Sequence, residues 1–172
     1  MKMTRLGTVE LFAILTARAA QAASPELDYV KQYESLLGGD PAAAQKKLAC
    51  PEKWQELPGT SPDHKRSYTT LRCVPSENQV YVEAGKVFAI GLRIDSGLPS
   101  ETASVQHKEV ERSLTLAGCK LTDRGQAAVA RCAGGKAVAV LNNWDSKSNS
   151  NTISMLYGLS AQLLPIMGMS VE

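Results

Sequence analysis

The sequence predicts an α+β domain: a helical hairpin plus two helix-and-antiparallel-sheet halves, stapled by disulfides. Three observations predict it. A helix that ends at a cysteine, followed by a strand that reaches a second cysteine, occurs twice. It runs through Leu48-Ala49-Cys50 to Leu71-Arg72-Cys73, and again through Leu116-Ala117-Gly118-Cys119 to Ala130-Arg131-Cys132. A helix-start signal precedes each copy, Asp40-Pro41 in the first and Ser100 in the second. Runs with strand character follow each copy. The halves span 40–95 and 100–158 within a single domain over 23–172. They share cysteine placement rather than detailed sequence, which fits an internal duplication and equally a single sheet whose two staples arose independently.

Residues 1–22 read as a secretory signal peptide. Lys2 and Arg5 form a basic start, Leu6 to Ala17 is mostly apolar, and Ala20-Gln21-Ala22 places small residues at a cleavage site. Glu10 and Arg18 interrupt the pattern, and an amphipathic helix that stays on the chain is the alternative. Ser24-Pro25-Glu26 starts a helix that continues through Leu27, Val30, Tyr33 and Leu37 and stops at Gly38-Gly39. Ala42 to Leu48 forms the second, short helix, which Cys50-Pro51 terminates.

Residues 51–66 read as a loop because Pro51, Pro58, Gly59 and Pro62 punctuate them. Strands follow at Tyr68 to Val74, at Val80 to Val82 and at Val87 to Ile94, the last two forming a hairpin around Ala84-Gly85-Lys86. Phe88, Ile90, Leu92 and Ile94 alternate with smaller or polar residues, so a period of two places them on one face. Ser100 caps a helix that runs to about Ala117, with Ala103, His107, Val110, Leu114 and Ala117 on one stripe. Strands at Ala127 to Cys132 and Lys136 to Leu141 come next, then a polar loop from Asn142 to Asn151, then a last strand at Ile153 to Tyr157. Alanines at 127, 128, 130, 133, 137 and 139 let a helix approach the sheet closely. The apolar stretch Leu159 to Met169 is too short to span a bilayer, is broken by Pro165 and Gly168, and reads as a buried terminal segment.

Four cysteines allow three pairings. Cys50–Cys73 and Cys119–Cys132 are favoured, because each joins the residue just past a helix to a strand of the same half. No two cysteines stand close enough for a structural zinc site or a C-x-x-C redox motif. Disulfides imply an oxidising compartment, hence a periplasmic or secreted protein. Removing residues 1–22 takes away three of the 19 basic residues (Lys2, Arg5, Arg18) and one of the 17 acidic residues (Glu10), leaving 16 of each. That neutral chain carries no basic cluster to track a phosphate backbone, so nucleic acid is not an expected partner.

No catalytic motif is present, and neither a cofactor nor a metal is expected. His64 lies in a Pro-Asp-His-Lys-Arg loop and reads as solvated. His107, with Glu111 one turn later, reads as a packed side chain rather than a base. The tryptophans say more. Trp54 lies in the proline-rich loop and Trp144 in Asn-Asn-Trp-Asp, where a large indole among polar neighbours either folds back on the core or waits for a partner. The expected binding residues are therefore Trp144 with Asn142, Asn143 and Asp145, and Trp54 as a second anchor.

From Asp40 to Gly158 the layout resembles tandem helix-plus-sheet modules such as the β-lactamase inhibitory protein, which carries one disulfide per half and inhibits its enzyme with a sheet face and inserted loops. The resemblance is one of topology and transfers no residue and no target. Three functions are expected in turn: an extracytoplasmic protein-binding module of inhibitor, immunity or envelope-assembly type; a small-ligand-binding or enzymatic domain with a helix–sheet pocket; and a secreted factor acting on a host or competitor.

Overall fold

The structure, a computed structural model, describes residues 28, 31–74, 76–123 and 127–171. The signal peptide expected over 1–22 and the helix start at Ser24-Pro25-Glu26 lie outside the described residues. Of the first expected helix, the described residues form chiefly a 3-10 turn, Glu34–Leu36. Gly38, at φ +78°, then donates its N–H to Val87 O at 2.7 Å, and Gly39 O accepts from Val87 N at 3.1 Å. The glycine pair thus docks backbone to backbone on a strand.

Helix α1 is Pro41–Leu48, with proline in the first turn and the Asp40 carboxylate accepting from Ala43 N. It ends at Ala49 in the left-handed region, φ +47°. Four strands follow: β1 (Trp54–Thr60), β2 (Ser67–Cys73), β3 (Gln79–Glu83) and β4 (Lys86–Leu98). Helix α2 is Ser100–Leu116. Four more strands follow: β5 (Lys120–Asp123), β6 (Ala127–Cys132), β7 (Lys136–Asp145) and β8 (Ser150–Leu159), then helix α3, Ser160–Ile166. All eight strands form one antiparallel sheet in the order β1-β2-β3-β4-β8-β7-β6-β5. Each half is a meander, and the last strands of the two meanders meet at the centre.

Three expectations are corrected. Residues 54–60 are a strand rather than loop, because Pro58 lies at an edge. Ser61 N–H donates to Arg66 O at 2.9 Å. Antiparallel alternation then turns the backbone of Leu57 and Gly59 toward β2 and the nitrogen of Pro58 outward, where no N–H is needed. Gly59 lacks a side chain because the Tyr68 ring lies across it; an added Cβ would stand 2.3 Å from that ring. Second, β5 was not expected, being only four residues with no clear alternation. Third, Asn142–Asp145 and Ser150–Asn151 are strand rather than loop. The apolar tail, expected as a buried terminal segment, is helix α3, with Leu163 and Leu164 buried.

Helices α1 and α2 cover one face of the sheet. Their core contains Ala44, Leu48, Val80, Ile90, Leu92, Val110, Leu114, Val138, Val140, Ile153 and Met155. Ala103, His107, Val110 and Leu114 form the buried stripe of α2, while Ala117 lies past its end and is exposed. Ser100 is the first helical residue rather than the cap; its hydroxyl accepts from Asn151 Nδ2 at 3.2 Å. The opposite face holds a second core, in which α3 lays Leu163 and Leu164 over Ala89, Ala137, Ala139, Val129 and Leu156. Of the alanines, 137 and 139 accept α3, whereas 128 and 130 face the other core.

Phe88 leaves the row in which the alternation placed it. The β3–β4 register runs Tyr81↔Ala89 and then Val82↔Val87, so Phe88 is an extra residue on β4. A bulge of this kind flips the side chain to the other face. Phe88 there packs with Tyr68 and Tyr81 at ring separations of 6.0 Å. Below the helix-side core, Lys136 pairs with Glu34 at 3.5 Å and ties the N-terminal turn to β7. Burial, with Glu34 beside it, pushes the Tyr157 phenol up to about 12.

Both disulfides join the expected cysteines. Cys50–Cys73 spans a Cα separation of 5.5 Å and Cys119–Cys132 one of 4.3 Å. Closing loops of these lengths stabilises the fold by roughly 3 kcal/mol each in the chain-entropy account. Such links fit an oxidising, extracytoplasmic environment. Among the described residues no helix is long and apolar enough to cross a membrane.

Candidate binding surface

Strand β7 outruns β6. β6 begins at Ala127, opposite Leu141, so among the described residues Asn142–Asp145 pair only with β8. On the other side of β8 the end of β4 follows through two register shifts, with Asp95↔Ile153 and Leu98↔Asn151. The result is a three-stranded arm that projects from the end of the sheet.

Its tip is a four-residue turn, Ser146 to Asn149, organised by Asp145. One carboxylate oxygen accepts from Lys147 N at 2.9 Å and the other from Ser148 Oγ at 2.8 Å. These hydrogen bonds, the backbone one first, hold the Asp145 carboxyl below its ordinary range. Asn149 closes the turn at φ +52°.

Trp144 stands in register with Asn151 on the helix side of the arm and is 46% exposed. Asn151 is buried and donates to Leu98 O at 3.4 Å and to Ser100 Oγ, so it pins both β4 and the start of α2 to β8. The indole therefore rides on a strand whose base is tied in two directions. Asn142, on the same side, has a buried Oδ1 with no partner among the described residues.

The period of two divides the expected binding residues. Asn142 and Trp144 face the helix side; Asn143 and Asp145 face the other, both exposed. They form the two faces of one arm rather than one side of a loop. Trp54 opens β1 in register with Cys73, half-buried and packed against the helix-side core. Five strand spacings separate β1 from β7, roughly 24 Å.

The remaining candidates resolve locally. The loop around His64 is built on buried Ser61, whose hydroxyl donates to Asp63 Oδ1 at 2.5 Å, while Lys65 N donates to the same oxygen. Those bonds, that of Ser61 first, keep the Asp63 carboxyl below its ordinary range. His64 itself is exposed at φ +56°. His107 is buried beneath α2 and contacts Glu111. A cleft of about 360 Å³ lies between α1 and the sheet, lined by Asp40, Gln45, Glu56, Thr69, Leu71 and Val82; His107 is not in it. Among the described residues no three His, Cys, Asp or Glu side chains gather as a metal site requires.

Sequence reasoning missed Asn151, the residue that anchors the arm. One asparagine in a run of Asn, Ser and Lys carries no signal of burial; only the register of β8 with β4 supplies one.

No protein-family model, no curated protein and no solved structure matches the chain.

Proposed function

We propose that the protein is a periplasmic or secreted protein-binding module, not an enzyme, and that it engages another extracytoplasmic protein through the end of the β7–β8 arm. One observation carries the reading: Trp144 is a nearly half-exposed indole held on a strand rather than on a free loop. A rigid amphipathic ring gives a large contact area for little lost conformational entropy, which is why Trp concentrates at binding hot spots. The two disulfides support an extracytoplasmic setting. Inhibitor, immunity and envelope-assembly roles, and action on a host or competitor, differ in the partner rather than in this surface. The helix-then-four-strands order of each half, with β4 and β8 meeting at the centre, supports reading the halves as an internal duplication. Trp54, shared with the core, is the weaker anchor; both indoles lie on the helix side, within reach of one interface of ordinary size.

The small-ligand reading has one observation in its favour, the cleft beside α1 with Asp40 and Glu56 on its wall.

The experiment compares the wild-type protein, Trp144→Ala and Val105→Ala as immobilised baits on periplasmic extract. Val105 is another exposed apolar residue, on α2. A partner held by wild type and Val105→Ala, but bound at least ~30-fold more weakly by Trp144→Ala, supports the proposal. A partner held equally by all three refutes it. The indole is about half covered, roughly 100 Å² of contact, so the substitution also removes up to ~2.5 kcal/mol of stability. Binding is therefore compared where both variants are folded by circular dichroism.

A further inference from the structure

His107 is the one polar residue on the buried stripe of α2. Ala103, Val110 and Leu114 flank it, and only 7% of its surface is exposed. Its ring meets two oxygens. Nε2 lies 3.4 Å from the backbone carbonyl oxygen of Val140 on β7, and Nδ1 lies 3.4 Å from Glu111 Oε1.

The chemistry of these oxygens fixes the ring. A peptide carbonyl only accepts, so Nε2 must carry a hydrogen. An ionised carboxylate also only accepts, so Nδ1 must carry one as well. Neutral imidazole has a single N–H. It can serve Val140 or Glu111, and the nitrogen left bare then sets its lone pair against an oxygen. Both contacts together require the imidazolium.

We propose that His107 is a proton-dependent cross-link between α2 and β7. Protonated, the ring ties the helix to the strand through Val140 and braces itself against Glu111. Deprotonated, it keeps the Val140 contact and releases Glu111, whose carboxylate is then left mostly covered with no donor from the ring. The surroundings leave these two groups to decide the matter. On α2, Lys108, Glu109 and Arg112 are exposed. The residues that β7 and β8 turn toward the helix near Val140 are Val138, Asn142, Ile153 and Met155, none of them titratable, with Tyr157 farther along β8. β5 carries Lys120, exposed, and Asp123, in register with Ala128.

The sign follows. The double contact exists only while the ring holds its second proton, so its stabilisation is present on the acid side and is lost as pH rises and the ring gives that proton up.

Two measurements test this on the purified protein. The first is ¹⁵N spectroscopy of the histidine ring from about pH 5 to about pH 8. Loss of the proton from Nδ1 with Nε2 still protonated is expected; loss from Nε2 first overturns the proposal. This reading needs no variant. The second compares melting temperatures at the two pH values for wild type and Glu111→Gln. The amide can donate to a bare Nδ1 and cannot neutralise a charged ring. Wild type should lose roughly 2–4 °C more than the variant on going from the acid to the basic condition. Identical pH profiles overturn the proposal.

Discussion

Substituting Gly158 by alanine tests the centre of the sheet. Gly158 lies on β8 between Ala89 of β4 and Ala137 of β7, where the two halves meet. A Cβ there would stand 2.5 Å from Phe88 O, 2.6 Å from Ala89 Cβ and 2.9 Å from Ala89 Cα. Two of those three atoms are backbone, and they belong to the bulged stretch of a central strand, so no rotamer change relieves the contact. Restoring ordinary separations moves β4 from β8 by roughly 1 Å in a close-packed region. Overpacking of this kind costs about 1–3 kcal/mol, and the unyielding neighbours place it at the upper end. Reduced entropy of the unfolded chain offsets about 0.4–1 kcal/mol. The net expectation is a loss of about 2 kcal/mol, or roughly 4–8 °C in melting temperature for a chain of this size. Calorimetry on wild type and Gly158→Ala measures it directly. Adding Ala89→Gly to the variant removes one of the close contacts and should recover part of the loss. A melting temperature within about 1 °C of wild type would refute the close approach of the two halves and, with it, the bulge that places Phe88 on the α3 side.

Two further substitutions probe the helix-side core and the sheet edge. Leu114 is fully buried between α2 and the sheet, so Leu114→Ala should cost about 2–5 kcal/mol in urea unfolding; a cost below about 0.5 kcal/mol would mean α2 is not docked there. Pro58 leaves the outer edge of β1 without a donor at its middle, so Pro58→Thr should complete that edge and raise concentration-dependent self-association in sedimentation velocity. An unchanged sedimentation profile would show that something other than the proline guards the edge.

What the sequence disclosed follows from which signals are local. The cysteine pairs and the α2 stripe were legible because each depends on spacing along one element or across one short loop. β1 was hidden because Pro58 and Gly59 look like breakers until their neighbours are known: the proline needs an edge, and the glycine needs the Tyr68 ring. The face that Phe88 takes is not legible along β4 alone, because a bulge is a property of two strands in register and alternation within one strand contains no trace of it. The arm carries loop signals in its sequence for a related reason. Asn, Ser and Lys disfavour strands on average, yet Asn142–Asp145 are held extended by β8, and Asn151 by Leu98 and Ser100. Tertiary pairing overrode propensity where composition was most polar.

That override bears on how the arm could bind. A loop carrying Trp144 would have to be ordered on contact, at about 0.5–1.5 kcal/mol for each immobilised flexible side chain. The strand has already met much of that cost in folding. β8 fixes the backbone of Trp144, Asn151 fixes β8 against both β4 and α2, and Asp145 fixes the turn beyond it. Asp145 therefore contributes by holding the tip, and its carboxylate is already engaged by two donors. Asn143 is the polar group left free to meet a partner on the far side of the arm, and Trp144 the apolar one on the near side. A partner groove that clasps the arm from both sides would use both residues at once, whereas a flat partner surface would use Trp144 alone. Asn143→Ala separates the two: a loss of binding comparable to that of Trp144→Ala favours the clasp, and unchanged binding favours the flat contact.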